Sequence, residues 1–478
     1  ALFVLQVALF EYYYVDDGNS NNRNTLNDGN ENGNENENGN DVGFSSKSLS
    51  ILMAQVQKTS RPVQDEAIDQ SVEEERCKKF SKLLSYDGKR LERRRIFAGG
   101  LIADDSWHVI GTNAIESYGI FHSITFIESN RTQNFQPRKL RFTPGSKDLE
   151  ILQSGIFGPK TLIHLEHFVH EHKELPMLRE HMMRESIIAA WKKLGMTRDD
   201  IGLIIDMDEV TSRDFLRAAQ MCNIPGNGWN SGPDQTCRDP LLRMSFPMAE
   251  GSPKCIHKGN NVQFKRFTSA AMVIGACIEG IGDSTKHPPV PRENKDHSGN
   301  SHGARQKGWG GRFDFSKIPN GVNGYYPLYN GADYRQIFTR NMIYGGVGIH
   351  LHNFFDSASR IRFKYAYFGH VHKHAYTAPL GAMNADMNLF VKCAHNISDE
   401  GNRKQRLVDG LEIIARSYPL LEAFRLEGYV DARHEEMVAL VEKDEEEYGR
   451  ADKFDGHHLF YDHMLTHKGR RHQQDTKV

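Results

Sequence analysis

The sequence predicts an α/β fold in which helices flank a sheet of mainly parallel strands. Short apolar runs alternate with amphipathic segments between residues 96 and 205, and several runs end in polar residues. Buried parallel strands read as continuous apolar runs, and a strand–helix–strand order is typical of the βαβ unit. The acidic motif Asp206-Met207-Asp208-Glu209 directly follows one of these runs, at the place where ligands of such sheets bind.

The first βαβ unit is predicted in the 96–127 region. Residues 96–102 form a strand in which Gly99 and Gly100 permit a close approach of another element. Polar residues 104–106 supply caps for a helix over residues 107–118, where apolar side chains recur at helical spacing. Residues 121–127 form the next strand.

Later elements follow from the same patterns. A helix is predicted over residues 178–194, and the strand over residues 201–205 carries the acidic motif. Residues 344–355 and 362–368 are predicted to be late strands, and the charged sequence after residue 399 to be helical.

Composition divides the chain into four predicted regions. Residues 1–15 are apolar and aromatic, and ten apolar residues are too few to cross a bilayer, which needs about 20. We interpret them as the remnant of a signal anchor, the alternative being a cleaved signal peptide. Residues 16–92 are predicted to be a low-complexity, disordered stem, since Asn fills 11 of the 25 positions from 18 to 42. A catalytic domain over 93–400 and a helical extension over 401–478 follow.

Charge and cysteine usage narrow the function further. A net charge of −2 argues against a general nucleic-acid binder. None of the six cysteines belongs to a Cys-x-x-Cys pair, so zinc-ribbon and thioredoxin-like sites lack support. A bridge between Cys222 and Cys237 is one prediction, and buried free thiols are the other.

The acidic motif indicates phosphate chemistry. Carboxylates of Asp206 and Asp208 at a strand end can bind a hard divalent cation, which in turn holds a diphosphate. If the backbone turns there, Asp208 alone contacts the metal and Asp206 reaches a ribose or a water. His350 and His352 alternate along a predicted strand, and His352 is predicted to complete the ligand set.

Several sequence blocks, in the same order, resemble glycosyltransferase family 17 between about residues 93 and 395. The blocks that carry the resemblance are RRIF at 94–97, LIADDSW at 101–107, FIESNRTQ at 126–133, PRKLRF at 137–142, GIFGPK at 155–160, DMDE at 206–209, RDFLRAAQ at 213–220, CIEGIGD at 277–283, HLHNFF at 350–355 and RFKY at 362–365.

The resemblance implies a GT-A-like nucleotide-diphospho-sugar transferase sheet and an inverting enzyme that depends on Mn²⁺. It also implies transfer of GlcNAc from UDP-GlcNAc to a mannose of a protein-linked N-glycan. The expected partners are the nucleotide sugar, the glycoprotein acceptor and, through the anchor, a membrane, with no nucleic acid. The expected location is the Golgi membrane, as a single-pass type II protein with a lumenal catalytic domain. The loops at 225–257 and 287–311, which would shape the acceptor pocket, match the family poorly. The resemblance therefore carries the least weight for the identity of the acceptor.

Inversion requires a base that accepts the proton of the acceptor hydroxyl. The carboxylates predicted for this role are Glu279 and Asp283, which flank a glycine-containing loop, and Asp356. The alternative for each is a loop cap or a surface ion pair.

Glu128, Asn130 and Lys139 follow the second predicted strand, where the donor nucleotide would lie, and are predicted to contact it. Asn130 also begins an Asn-Arg-Thr sequon, so a glycosylated surface loop is its alternative.

Rival functions remain open at this stage. A related glycosyltransferase with a different donor or acceptor fits the same motif. A phosphohydrolase of the haloacid dehalogenase type would use Asp206 as nucleophile and Asp208 as acid and base, but the second late acid is absent at His287. A non-enzymatic glycan-binding protein would not need the intact acidic pair.

Overall fold

The structure, a computed structural model, describes 46–59, 68–132, 135–169, 176–225, 229, 241–257, 266–278, 280–281, 343–345, 347–367, 372, 374–397, 407–409 and 421–451. Chain contacts separate Ala1–Gly43 from Phe44–Val478, and all described residues belong to the second unit. That unit has a mixed α/β fold. The predictions for residues 1–15, for the Asn-rich segment and for Cys237 lie outside the described residues.

Eleven strands among the described residues join in one mixed sheet. In chain order they are β1 (Ile96–Ile102), β2 (Phe121–Ser129), β3 (Leu162–Phe168), β4 (Ile201–Ile204), β5 (Glu209–Thr211), β6 (Leu241–Glu250), β7 (Cys255–His257), β8 (Arg266–Ile274), β9 (Ile343–Gly345), β10 (Gly348–His352) and β11 (Leu407–Asp409).

The main path through the sheet is β11-β7-β6-β8-β4-β1-β2-β3. β1 pairs in parallel with β2 and β4, and β2 pairs in parallel with β3. β8 is antiparallel to both β4 and β6. β10 lies off this path, parallel to β6 and antiparallel to β5. The four parallel strands therefore meet an antiparallel half at β4, the strand that precedes the acidic motif.

Ten α-helices are described. They are α1 (Lys47–Thr59), α2 (Gln70–Lys79), α3 (Trp107–Ser117), α4 (Lys147–Gln153), α5 (Pro176–Lys193), α6 (Arg213–Met221), α7 (Ala358–Tyr367), α8 (Leu380–Met383), α9 (Ala385–Ala394) and α10 (Tyr429–Tyr448). Within the described part of the chain, no helix combines the length and apolar character needed to cross a membrane.

Glycines let helix α5 pack tightly on the sheet. A Cβ placed on Gly99 of β1 would lie 2.1 Å from Cγ2 of Ile187, and one on Gly202 of β4 would lie 2.2 Å from Cζ3 of Trp191. Neither distance is tolerable, so only glycine fits at both positions. The Trp191 indole also donates to the Ala98 carbonyl at 3.1 Å. The close approach predicted for Gly99 is thus made by a helix of the same domain.

Three predictions about the elements are wrong. Residues 407–409, predicted to be helical like the rest of the chain after residue 399, form strand β11. Residues 362–368 were predicted as a strand, but α7 covers 358–367 as a helix that buries Ile361, Arg362 and Tyr365 on one side. Strand β3 is absent from the sequence prediction, because its histidines and acids interrupt the apolar pattern and its side chains are mostly half-buried.

The stem predicted over residues 16–92 does not extend as far as residue 92. α1 buries Leu52 and Met53 in the main core, and α2 buries Cys77 there. A Cβ on Gly111 of α3 would lie 2.9 Å from Cδ2 of Leu52, which shows how closely α1 approaches α3. Part of the predicted stem therefore belongs to the folded unit, because its apolar residues complete the core.

The end of the described chain also packs into the fold. α10, from the predicted C-terminal extension, buries Met437 and Val441 against the second apolar cluster. Its Asp444 forms a buried ion pair with Arg362 of α7, and the same carboxylate accepts the Leu380 amide at 2.9 Å. Ser48 of α1 hydrogen-bonds Glu436 of α10.

Disulfides join distant parts of the chain. Cys77 is bonded to Cys222, which corrects the predicted Cys222–Cys237 bridge, and Cys255 is bonded to Cys393. The bridge from Cys77 ties the segment after α2 to the end of α6, where Ser85 and Asn223 also exchange backbone hydrogen bonds. Sequence proximity favoured the short loop, whereas the packing of α2 on α6 selects the long one.

We expect the Cys77–Cys222 bridge to make a large contribution to stability, because it closes a loop of 145 residues in the unfolded chain. The Cys77→Ala/Cys222→Ala variant should lose roughly 2–5 kcal/mol of unfolding free energy in urea titrations. The Cys255→Ala/Cys393→Ala variant, with a separation of 138 residues, is the matched comparison. A parent and variant of equal stability would contradict this prediction.

Buried Glu116 of α3 should make stability depend on pH. Its carboxylate accepts backbone amides of Arg213, Glu422 and Ala423. Burial raises the pKa of Glu116 to about 8, although these hydrogen bonds oppose the rise. The native state therefore holds this proton more tightly than the unfolded chain does. The resulting stabilisation is fully present below the ordinary value of 4.5 and is lost as pH rises through about 8.

The matched variant is Glu116→Gln, which cannot titrate. The stability difference between parent and variant should be largest near pH ~5 and should narrow towards pH ~9 in urea unfolding experiments. A difference that stays constant across that range would show that Glu116 keeps an ordinary pKa in the folded protein.

Candidate functional site

The acidic motif lies in a turn between β4 and β5, at the carboxyl edge of the parallel strands. The Ile205 amide donates to the Gly99 carbonyl of β1 at 3.1 Å, which continues the sheet pairing up to the first acid. Glu209 is fully buried, and its carboxylate accepts the Asp206 amide at 2.9 Å. The Glu209 amide donates to the Asp206 carbonyl at 2.9 Å. Glu209 thus fixes the turn that presents the two aspartates.

Asp208 faces a histidine of β10. Oδ2 of Asp208 lies 3.1 Å from Nε2 of His350, and the Asp208 carbonyl accepts the Leu351 amide at 2.6 Å. Burial alone would lower the pKa of His350, but the Asp208 carboxylate raises it above its ordinary value. Burial alone would raise the pKa of Asp208, but His350 holds it well below its usual range. Asp208 keeps about 25% of its side chain exposed, so it is reachable from solvent.

Asp206 has a different partner. Its Oδ1 lies 2.6 Å from Nη2 of Arg184, a buried side chain of α5 that also contacts Glu180 at 2.9 Å. The turn therefore separates the two predicted metal ligands. Asp206 is engaged by a guanidinium, and Asp208 is the aspartate placed beside an imidazole. Which of the two aspartates would contact a metal stays a prediction.

Two further acids lie at the end of β1. Burial raises the pKa of Asp105 to about 7, and the negative charges of Asp208, Asp206 and Asp104 raise it as well. Oδ2 of Asp104 is buried and forms an ion pair with Nη1 of Arg138 at 3.7 Å. The sequence analysis assigned both acids to helix capping, although Asp105 instead accepts the Ala103 amide at 2.8 Å. Four carboxylates thus share one edge of the sheet.

The four carboxylates carry the oxygen donors that a hard divalent cation prefers. Among the described residues, however, no three of them bring their oxygens within 4.8 Å of one another. Asp208 is paired with the imidazole of His350. In the described residues, the one group of three metal-ligating atoms within 4.8 Å is Cys255, Cys393 and His434. That group is no metal site, because its two sulfurs form a disulfide.

His352 lies one step further along β10 and has its own partner. Nδ1 of His352 is 2.8 Å from Oε2 of Glu250, a fully buried residue at the end of β6. The imidazole next to Asp208 is that of His350, whereas His352 is paired with Glu250. The metal-binding role predicted for His352 stays a prediction. Burial lowers the pKa of His352, and Lys364 adds to this effect, although Glu250 opposes it.

Asp356 is the one predicted base candidate that the structure describes; Glu279 and Asp283 lie outside the described residues. Oδ1 of Asp356 is 3.2 Å from Nε2 of buried His108, and about 34% of its side chain is exposed. Burial alone would raise the pKa of Asp356, but His108 and Arg433 lower it below its ordinary value. Asp356 is therefore an ionised carboxylate that solvent can reach.

Helix α10 supports the loops that carry these residues. Nε of Arg433 donates to the Gly251 carbonyl at 2.9 Å, and Nη2 donates to the Phe355 carbonyl at 2.9 Å. Its guanidinium lies 5.4 Å from the centroid of the Phe354 ring. The Gly251 amide in turn donates to the His352 carbonyl at 2.8 Å. One buried arginine thus fixes the ends of β6 and β10 together.

The residues predicted to contact the nucleotide are not brought together as expected. Glu128 is buried, and its carboxylate accepts the amides of Arg141 and Phe142 at 2.7 and 3.1 Å, so it holds a loop of the protein itself. Asn130 is half-buried, and its Oδ1 accepts Arg179 at 3.1 Å. Lys139 is exposed. Glu128 was misassigned because a strand-end acid has the same appearance in sequence whether it caps a loop or faces a ligand.

Comparisons with protein-family models, with curated proteins and with solved structures found no match to this chain. The site also contains residues that sequence reasoning missed, namely Asp105, Glu250, His350 as the partner of Asp208, and Arg433. The alternation of His350 and His352 was the one signal for this part of the site. Nothing in the sequence indicates that a helix beyond residue 428 supplies Arg433.

We expect loss of Arg433 to loosen the loops around Asp356. Arg433→Met leaves the Gly251 and Phe355 carbonyls without this donor and should lower the unfolding free energy by roughly 2–4 kcal/mol. Arg433→Lys keeps a charge but not the two-pronged geometry, so an intermediate loss is expected. Exposed Arg425 of the same region supplies the control, Arg425→Met, which urea unfolding should find within about 0.5 kcal/mol of the parent. Similar stabilities for all three variants would contradict the role given to Arg433.

Proposed function

We propose that the protein is an inverting glycosyltransferase with a GT-A-like sheet, which transfers a sugar from a nucleoside diphosphate with the help of a divalent cation. The observation that carries the proposal is Asp208, an accessible carboxylate next to His350 at the carboxyl edge of four parallel strands. Ligands of open α/β sheets bind at this edge. Strand β8 lies next to β4 in the sheet and runs antiparallel to it, which is compatible with the proposed GT-A-like sheet.

Further specificity is proposed from the sequence blocks that resemble family 17. We propose Mn²⁺ as the cation, UDP-GlcNAc as the donor and a mannose of a protein-linked N-glycan as the acceptor. The same resemblance supports the proposal that the protein is a type II membrane protein of the Golgi. The proposed mechanism does not depend on the identity of the donor or the acceptor, because a related transferase with another sugar or acceptor would need the same acids.

The residues have distinct roles in the proposed reaction. Asp208 would hold the cation, with Asp105, whose pKa the charge of Asp208 raises, as a further ligand. The cation would neutralise charge on the departing nucleoside diphosphate when bound. Arg184 holds Asp206 away from the same position and leaves it to bind a ribose hydroxyl or a water. Glu209 keeps the turn between the two aspartates rigid, so the ligand geometry does not have to be created upon binding.

Asp356 is the described candidate for the base. An ionised carboxylate can accept the proton of the acceptor hydroxyl as the hydroxyl oxygen attacks the anomeric carbon and the bond to the diphosphate breaks. His108 and Arg433 keep Asp356 ionised and orient it. Glu279 and Asp283 remain alternative candidates for this role.

The contacts of Asp206 disfavour the phosphohydrolase alternative. A nucleophilic aspartate needs an oxygen that can attack phosphorus. Asp206 Oδ1 instead lies 2.6 Å from the guanidinium of buried Arg184. Asp208 would have to act as acid and base, yet His350 holds its pKa well below the usual range, so it is a poor proton donor.

The direct test measures release of UDP from a panel of UDP-sugars by the full chain, with and without Mn²⁺. We expect cation-dependent release from UDP-GlcNAc, reduced at least about 100-fold in Asp208→Asn, which loses charge on the metal ligand. Exposed Asp431, which pairs with Lys254 on the surface, supplies the control Asp431→Asn with unchanged release.

The other outcomes of the UDP-release test would each change the proposal in a different way. Preference for another UDP-sugar would keep the mechanism and replace the donor. Absence of UDP release, with phosphate freed from small phosphomonoesters, would overturn the transferase in favour of a phosphohydrolase. Full activity of Asp208→Asn would contradict the role of the acidic motif.

A further inference from the structure

Lys364 of α7 is a cation next to the acidic edge that neither the motif nor the proposed ligand set includes. Its Nζ lies 3.1 Å from Oδ1 of Asn353, the residue that follows His352 at the end of β10. The ammonium also lies 5.4 Å from the ring centroid of Phe355 and 5.9 Å from that of Tyr365. Its side chain is half-buried, so the two rings and the amide restrict its position.

Asn353, which accepts the hydrogen bond from Lys364, has an unusual backbone conformation. Its φ of 56° lies in the left-handed region, which is uncommon for residues other than glycine. Its side-chain amide donates to Oε1 of Glu250 at 2.5 Å and to the hydroxyl of Tyr365 at 3.0 Å. Such a conformation persists when surrounding contacts determine it, and it is often found at binding sites. Here those contacts direct Oδ1 of Asn353 towards the lysine.

The charge of Lys364 acts on the candidate site. After burial and His350, Lys364 is the next contributor to the pKa of Asp208, which it lowers. It also acts on His352, where it adds to the effect of burial. A chain of contacts links the ammonium to this carboxylate. Nδ2 of Asn353 lies 3.1 Å from Nδ1 of His352, the ring centroids of His352 and His350 are 5.6 Å apart, and Nε2 of His350 lies 3.1 Å from Oδ2 of Asp208. An ammonium has three donors, and Asn353 accepts one, which leaves capacity for a ligand that bridges towards Asp208.

We propose that Lys364 binds the terminal phosphate of the donor's nucleoside diphosphate and carries part of its charge as it leaves. This inference rests on the proposed function and adds a phosphate-binding residue to it. Lysine is a common phosphate binder that acts as a point charge, so its position need not be matched to a second donor. Together with a cation held by Asp208, Lys364 would approach the diphosphate from the side of α7.

The experiment compares binding of UDP and UMP by calorimetry, in the presence of Mn²⁺, for the full chain and its variants. The two nucleotides differ by the terminal phosphate alone. Lys364→Ala should weaken UDP binding about 10–100-fold while changing UMP binding less than about 3-fold. Lys364→Arg should retain most of the UDP affinity, because it keeps the positive charge. Exposed Lys443 of α10 supplies the control Lys443→Ala, with no change.

The outcomes separate this inference from the proposed function. If the parent protein binds UDP and Lys364→Ala binds it equally well, the inference is wrong and the transferase proposal stands. Equal weakening of UMP and UDP binding would also overturn it, because a purely structural role predicts that result. If the parent binds neither nucleotide, the proposed function fails, and the inference fails with it. Lys364→Gln, which is one atom shorter than lysine but retains a donor without the charge, replaces the alanine variant if that variant does not fold by circular dichroism.

Discussion

The antiparallel pairing of β5 with β10 is the contact on which the candidate site depends. Glu209 lies opposite His350 in this ladder, so the turn of acids and the strand of histidines are brought together by backbone hydrogen bonds. Because β10 also pairs with β6, the same strand brings Glu250 alongside His352. A shift of β10 by one residue would turn both histidines to the opposite face of the sheet. The register of one short strand therefore determines which imidazole meets which carboxylate.

Three of the acids around this ladder each have their own basic partner. Arg184 is assigned to Asp206, His350 to Asp208, and His108 with Arg433 to Asp356. Each basic group comes from a different element, so each acid keeps a distinct electrostatic environment. Buried charges are costly unless they are paired, and removal of one partner leaves the other uncompensated. Asp105 is the exception, because burial and the negative charges of Asp208, Asp206 and Asp104 raise its pKa to about 7.

The sequence predicted three of the four parallel strands, β1, β2 and β4, and predicted the rest of the sheet poorly. β1 spans the residues predicted for it, and β4 ends one residue before the predicted end, because long apolar runs with clear caps are local signals. β3 was missed because its polar residues carry no periodic apolar signal. α7 was predicted as a strand because Phe363 and Tyr365 favour strands locally, whereas the packing of Ile361 and Arg362 against α10 favours a helix.

The candidate site was predictable only in part for the same reason. The acids of the motif are adjacent in the chain, so spacing alone identified them. The choice of His350 over His352, and the contribution of Glu250, depend on strand register, which no local pattern specifies. Arg433 reaches the site through tertiary packing of a distant helix. For Glu128 the sequence predicted the position at a strand end correctly but the role incorrectly. Its carboxylate binds backbone amides of a loop of the protein itself.

The position of α10 has a consequence for how the protein is made. Its Arg433 closes the loops after β6 and β10, and its Glu436 binds α1 at the other end of the folded chain. During synthesis from the N-terminus, the strands β1 to β4 are complete long before α10 has emerged from the ribosome. At that point Asp206 already has its partner Arg184, whereas Asp208 still lacks His350 and β4 lacks its neighbour β8. Such partly paired strands are prone to aggregation. Assembly of the site therefore requires α10, and a chain that stops before residue 429 would contain every acid of the motif without the helix that closes their surroundings.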